Sequence, residues 1–108
     1  MADTKVVVIY PYPADPDAFE KAYINDHVPL AKEKIKGMTK FVATKIVGTP
    51  DGRTPPFYRI AELHFASVEA LKESMSSPGT GQAVQHAISI STGGMPIVLL
   101  AEQETTTF

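Results

Sequence analysis

Two apolar runs, one near each end of the chain, restrict its fold more than any other feature. Residues 5–11 read Lys-Val-Val-Val-Ile-Tyr-Pro, and residues 95–102 read Met-Pro-Ile-Val-Leu-Leu-Ala-Glu. Both are strand-sized, and neither alternates polar with apolar. A strand with one wet face alternates, whereas a continuous apolar run needs cover on both faces. The chain is therefore expected to build a sheet whose two faces are both buried. With 108 residues it has length for one domain, 1–108, and not for two.

Between the runs lie the signals of two helices and two further strands. Pro11 and Pro13 end the first run, and Asp15-Pro16 opens a helix, with a side-chain acceptor at the N-cap and proline at the first helical position. Phe19, Tyr23 and His27 then recur four apart, on one helical face. Pro29 has no N–H for the Asn25 carbonyl and crowds it, and the residue before a proline is biased away from helical angles. The helix is expected to end or kink at 26–28, with a second short helix starting at Pro29 and closing at Gly37 in a left-handed C-cap.

Residues 38–48 read as the second strand. A loop dense in Gly, Pro and Thr follows, and residues 57–65 read as the third strand. One face of that strand carries Phe57, Arg59, Ala61, Leu63 and Phe65. The other carries Tyr58, Ile60, Glu62 and His64. Ser67 caps a helix whose apolar stripe is Val68, Leu71 and Met75; Ser-Ser-Pro-Gly breaks it, and a short helix over 80–88 follows.

The order is strand, helix, strand, strand, helix, strand. It is the α+β, ferredoxin-like βαββαβ arrangement, with an antiparallel four-stranded sheet and both helical segments on one face. Nothing remains in the chain to cover the other face. A second copy of the sheet, in a homodimer, is the expected cover.

Composition narrows the function. Net charge is −2 with no basic stripe, which argues against a nucleic-acid partner. There is no cysteine for a disulfide, a thiol nucleophile or a thiolate metal site. The N-terminus lacks a signal-peptide pattern and the apolar runs are too short to span a membrane, so a cytoplasmic protein is the expectation.

The three histidines, His27, His64 and His86, show no metal-ligand spacing, and no dinucleotide or nucleophile-elbow motif is present. No cofactor or metal is expected. His27 at the helix break is the candidate acid–base, because an ordinary imidazole titrates near neutrality. The plain alternative is an imidazole interacting with the carbonyls of a helix C-terminus. Tyr23, one turn earlier, is placed to orient a substrate oxygen. Phe19 shares their inward face, and Tyr58, Glu62 and His64 form a second candidate patch, either for ligand or for hydrogen bonds and interface contacts. His86 is expected to face solvent.

The stretch Asp17-Ala-Phe19 through Tyr23-Ile-Asn-Asp-His27-Val-Pro29-Leu30 resembles the signature of the EthD family: an aromatic, then Tyr-x-x-x-His-x-Pro-Leu, then a short helix closing in glycine. Tyr10-Pro11, Pro56-x-Tyr58, Phe65-Ala-Ser67, Ser77-Pro78 and Gly81-Gln82-Ala83 follow the same pattern in order. The resemblance implies a dimeric α+β barrel, two ferredoxin-like sheets face to face. It implies a role in bacterial catabolism of apolar, oxygen-bearing molecules of the ethyl tert-butyl ether kind, beside a partner oxygenase, with a small hydrophobic ligand between sheet and helices. Members are often labelled oxidoreductases, and relatives with this barrel include isomerases, cyclases, cofactor-free monooxygenases and haem enzymes. The readings left open are an enzyme using His27 and a non-catalytic binding protein. One departure stands out: Ala87 aligns where many members carry Asp.

Overall fold

A computed structural model describes residues 3–108. The first apolar run forms β1 (Asp3–Pro11), and the chain continues through helix α1 (Pro16–Ala22), a π-helical turn (Tyr23–His27) and α2 (Val28–Lys34). Strands β2 (Met38–Lys45) and β3 (Phe57–Phe65) follow, then α3 (Val68–Met75), α4 (Pro78–Ile90) and β4 (Ile97–Gln103). The strand order is β2-β3-β1-β4, antiparallel at each pairing. This is the expected ferredoxin-like α+β sheet. No helix among the described residues is long and apolar enough to cross a membrane.

The caps behave as their chemistry requires. The Asp15 carboxylate accepts from the Ala18 N–H, and Ser67 Oγ accepts from the Ala70 N–H. Ser76-Ser77-Pro78-Gly79, expected only to break, also starts the next helix: Ser77 is its N-cap and Pro78 its first residue, so α4 begins two residues before the expected start. Gly79 is required there, since a Cβ would lie 2.4 Å from the Lys34 carbonyl oxygen at the end of α2. α2 ends at Lys34 with Ile35, in extended conformation, as its C-cap, so Gly37 does not close the helix as expected; it holds a φ of +87° in the turn into β2.

The helix does not stop at Pro29. Val28 keeps helical angles, φ −61° and ψ −46°, and its N–H reaches back five residues to the Tyr23 carbonyl. The wider π turn accommodates the missing Pro29 N–H without breaking the helix, which is how single π turns inside α-helices resolve such conflicts. The second correction is in β3. The pairing with β1 slips between Tyr10↔Arg59 and Pro11↔Phe57, leaving Tyr58 as an extra residue. A bulge of this kind re-aims a side chain. Tyr58 accordingly packs its ring on Phe19 of α1, at 5.6 Å between centroids, rather than beside Glu62 and His64.

The core lies between the helices and one sheet face. One part is aliphatic, built around Val6, Ala31, Leu63 and Leu71. The other is aromatic, with Tyr10, Phe19, Tyr23, Tyr58 and Ala87. The opposite sheet face has no helix on it. There Ile97 and Leu99 of β4 are exposed, and Leu99 is paired across the ladder with Val7.

Candidate functional site

A cavity of about 50 Å³ lies between α2, α4 and the sheet. Val8 of β1, Leu63 of β3, Ala31 of α2 and Ala83 and Ala87 of α4 make its walls, while exposed Val84 and Val98 mark its mouth between α4 and β4. The walls are almost wholly apolar. The polar exceptions are Tyr10 and His27 at one corner and Thr80, whose hydroxyl is engaged by Ser77. The space is about a third of the ~150 Å³ engineered cavity that accepts benzene. The space has room only for a compact group.

His27 reaches this cavity because the Phe19–Tyr23–His27 line survives the π turn. The three rings stack at 5.7 and 5.8 Å between successive centroids, and Tyr10 of β1 meets all three edge-on. His27 Nε2 is 3.2 Å from Tyr10 Oη, and His27 Nδ1 is 3.0 Å from His86 Nδ1. Burial, and secondarily the neighbouring His86, push the His27 pKa down to about 4. At neutral pH the ring is therefore uncharged. Burial also pushes the Tyr10 phenol well above its usual range, with Tyr23 adding to the effect, so Tyr10 keeps its hydrogen.

The expected site residues separate into three groups. His27 lines the cavity. Tyr23 and Phe19 lie behind it, fully enclosed, and support it without touching the space. The Tyr23 hydroxyl is buried without a hydrogen-bond partner, and burial pushes its pKa up to about 12. The Arg59 guanidinium sits 5.0 Å from the Tyr23 ring centre and is held by Glu20 through two hydrogen bonds of 3.0 and 2.7 Å. That Arg59 contact holds the Glu20 carboxyl below the usual carboxylate range. Tyr58 is packed on Phe19, as described. Glu62 and His64 lie on the helix-free face, where Glu62 pairs with Lys5 and lies 3.9 Å from His64.

Two residues of the site were not singled out for it in the sequence. Tyr10 read as the end of an apolar strand and as part of the family pattern, without a role in a site. His86 read as solvated, and the structure corrects this: the residue is half-buried and hydrogen-bonded to His27 of the π turn. Its partner is 59 residues away, a distance no local periodicity spans. Among the described residues no three His, Asp or Glu side chains converge as a metal would need.

The EthD domain matches residues 11–87, which contain the π turn, His27 and His86. The chain is 33% identical over 101 residues to an uncharacterized 11.0 kDa protein from the thcB–thcC intergenic region of Rhodococcus erythropolis, covering 94% of this chain and 95% of that one. It is similar in structure to an ethyl tert-butyl ether D (EthD) family protein from Bacillus halodurans, with a TM-score of 0.85, 28% identity, and coverage of 94% of this chain and 99% of that one. A dimeric ferredoxin-like protein of unknown function from Jannaschia sp. shares the fold, with a TM-score of 0.64, 13% identity, and coverage of 94% and 99%. With the domain match spanning most of the chain and the π turn and its histidine inside it, the protein belongs to the EthD family.

Proposed function

We propose that the protein binds a compact, apolar, oxygen-bearing small molecule in the cavity and moves a proton on it with Tyr10 and His27. The observation that carries this reading is the shape of the polarity. An otherwise apolar cavity has one hydrogen-bonded corner, Tyr10 Oη with His27 Nε2, aimed at whatever fills it. A dry wall with a single polar corner selects a ligand that is aliphatic except for one oxygen. A neutral imidazole beside a protonated phenol suits proton transfer without a resting charge in the cavity. Isomerisation, cyclisation or elimination next to a carbonyl or ether oxygen is the reaction class.

A second reading keeps the same ligand and drops the chemistry. A histidine pushed down to about 4 is a weak base, and this favours a protein that holds the molecule for a partner oxygenase.

The helix-free sheet face is proposed to be covered by a second copy. Ile97 and Leu99 are exposed on it, and each apolar strand side chain left in water forfeits roughly 1.5–3 kcal/mol. The dimeric ferredoxin-like protein offers a precedent of the same fold.

The test is ligand titration by NMR with small ketones, ethers and tertiary alcohols, followed by deuterium exchange from solvent into the bound ligand. The enzyme reading expects binding, with exchange that His27→Gln and Tyr10→Phe each slow by about 100-fold. Binding without exchange selects the carrier. Absence of binding, with the signals of Ala83 and Ala87 unmoved, overturns both.

A further inference from the structure

His86 stands outside the cavity, on α4, one residue before the wall residue Ala87. Its ring and that of His27 are 4° from parallel with centroids 5.2 Å apart, while their Nδ1 atoms are 3.0 Å apart. Two five-membered rings so far apart at their centres and so close at one nitrogen lie edge to edge in a common plane. The contact is an in-plane N–H···N hydrogen bond, not one ring resting on the other. Such a contact holds one hydrogen. Two bare nitrogens would oppose lone pairs, and two N–H groups would collide.

His27 therefore has both nitrogens committed, one to each side. With hydrogen on Nδ1, it donates to His86 and accepts from the Tyr10 hydroxyl at Nε2. With hydrogen on Nε2, it donates to Tyr10 Oη and accepts from His86 Nδ1–H. The two tautomers interconvert by a shift of hydrogens along the line Tyr10–His27–His86. Titratable groups facing this line are Tyr10 from β1, Tyr23 from the π turn and His86 from α4, and Arg59 of β3 lies behind Tyr23, paired with Glu20.

We infer that His86 is the outer end of a proton relay that links the cavity corner to solvent through His27. The inference rests on the proposed acid–base reading for its use, but not for its existence. The step balances as follows. A substrate C–H or O–H passes its proton to Tyr10 Oη, and the Tyr10 hydroxyl hydrogen passes to His27 Nε2. The His27 Nδ1 hydrogen passes to His86 Nδ1. The substrate is left as an anion, Tyr10 and His27 end neutral, and His86 ends as the imidazolium. The reverse sequence delivers a proton. The positive charge thus appears on half-buried His86 rather than on buried His27. This removes the difficulty that a desolvated imidazolium would pose in the cavity. His86 is a positioning and relay residue; it does not touch the ligand space.

The relay can be tested without any ligand. The Tyr10 hydroxyl and the His27 ring N–H are buried, and NMR measures how fast their hydrogens exchange with water. In the native protein the expected exchange runs through His86. His86→Phe keeps a ring of similar size and is expected to slow both exchanges by tenfold or more. His86→Gln can hold a hydrogen bond but cannot pass a proton on, and is expected to slow them equally. His86→Ala is expected to be slow and to recover when free imidazole is added. Unchanged exchange in His86→Phe overturns the relay, as does native exchange in His86→Gln. Should His86→Phe fail to fold, the Gln and Ala-plus-imidazole arms decide the matter. A protein that binds no small molecule yet shows His86-dependent exchange keeps the relay and loses the proposed function. A protein that binds and exchanges ligand deuterium with no dependence on His86 keeps the function and loses the relay.

Discussion

The two faces of the sheet solve the same problem in opposite ways. Each carries a buried histidine, His27 over one face and His64 on the other. Along the cavity on the helix-covered face the polar atoms are joined by uncharged hydrogen bonds, from Tyr10 through His27 to His86, and the Arg59–Glu20 ion pair of that face lies behind Tyr23, away from the cavity. On the helix-free face they are ionic: Lys5 reaches both Glu62 and Gln103, and Glu62 lies near His64. A neutral line can sit against a dry cavity because no unpaired charge is desolvated there. An ion pair needs water or a well-matched partner around it. The contrast agrees with the proposed ligand chemistry on the first face and the proposed association on the second.

The comparison breaks most visibly at Phe19. It is enclosed by Tyr10, Tyr23 and Tyr58, so Phe19→Ala is expected to destabilise the protein by about 3–5 kcal/mol in urea unfolding. Leu99→Ala on the other face should change the stability of the isolated chain by less than about 1 kcal/mol. Equal losses would erase the distinction between a packed face and a waiting one.

Charge on the helix-free face gives the next largest effect. Leu99→Asp should raise the dimer dissociation constant by about 100-fold or more in sedimentation, because a buried unpaired carboxylate costs about 3–5 kcal/mol. An unchanged sedimentation profile would leave that face to water.

The third effect is a pH dependence that belongs to the covered face. The His27 pKa lies near 4 in the folded chain against the ordinary 6.5. The unfolded chain therefore takes up a proton at His27 that the folded chain refuses between these values. His27 contributes its stability fully above pH 6.5, and that contribution is lost as pH falls toward 4. The loss is on the order of 2–3 kcal/mol. Unfolding free energy measured across this window should fall in the native chain and stay flatter in His27→Gln. The smallest effect returns to the other face. Glu62→Gln should cost the isolated chain about 1 kcal/mol or less, shrinking with added salt.

Much of the frame was legible because it is written in local chemistry. Asp15 and Ser67 act through neighbours a few residues away, and β3 begins and ends at Phe57 and Phe65 as its pattern indicates, whereas Gly37 falls in the turn beyond the end of α2. His27 was legible as an inward-facing residue because helical spacing carries it to the core with Phe19. The π turn was not, since Pro29 announces a conflict without saying whether the helix stops or widens. Tyr58 was misplaced because strict alternation cannot foresee a bulge. His86 was missed because its partner lies across the fold, on an element whose own pattern says nothing about it.

The π turn has a bearing on how such a chain tolerates the loss of a residue. It holds one residue more than the α-helical ring it replaces, while the helices before and after it keep ordinary geometry. Each residue in a helix advances the azimuth by roughly 100°. A π turn rotates less per residue, so its extra residue is absorbed within the ring; deleting exposed Ile24 would let the helix run on as plain α and leave the segments before and after it close to their present phase. The sheet, the caps at Asp15 and Ser67, and the helix-free face would all remain. In descendants of this chain, loss of a single codon between positions 23 and 27 can therefore be absorbed by the turn, the change falling on the residues of the turn itself rather than on Phe19 or on α2.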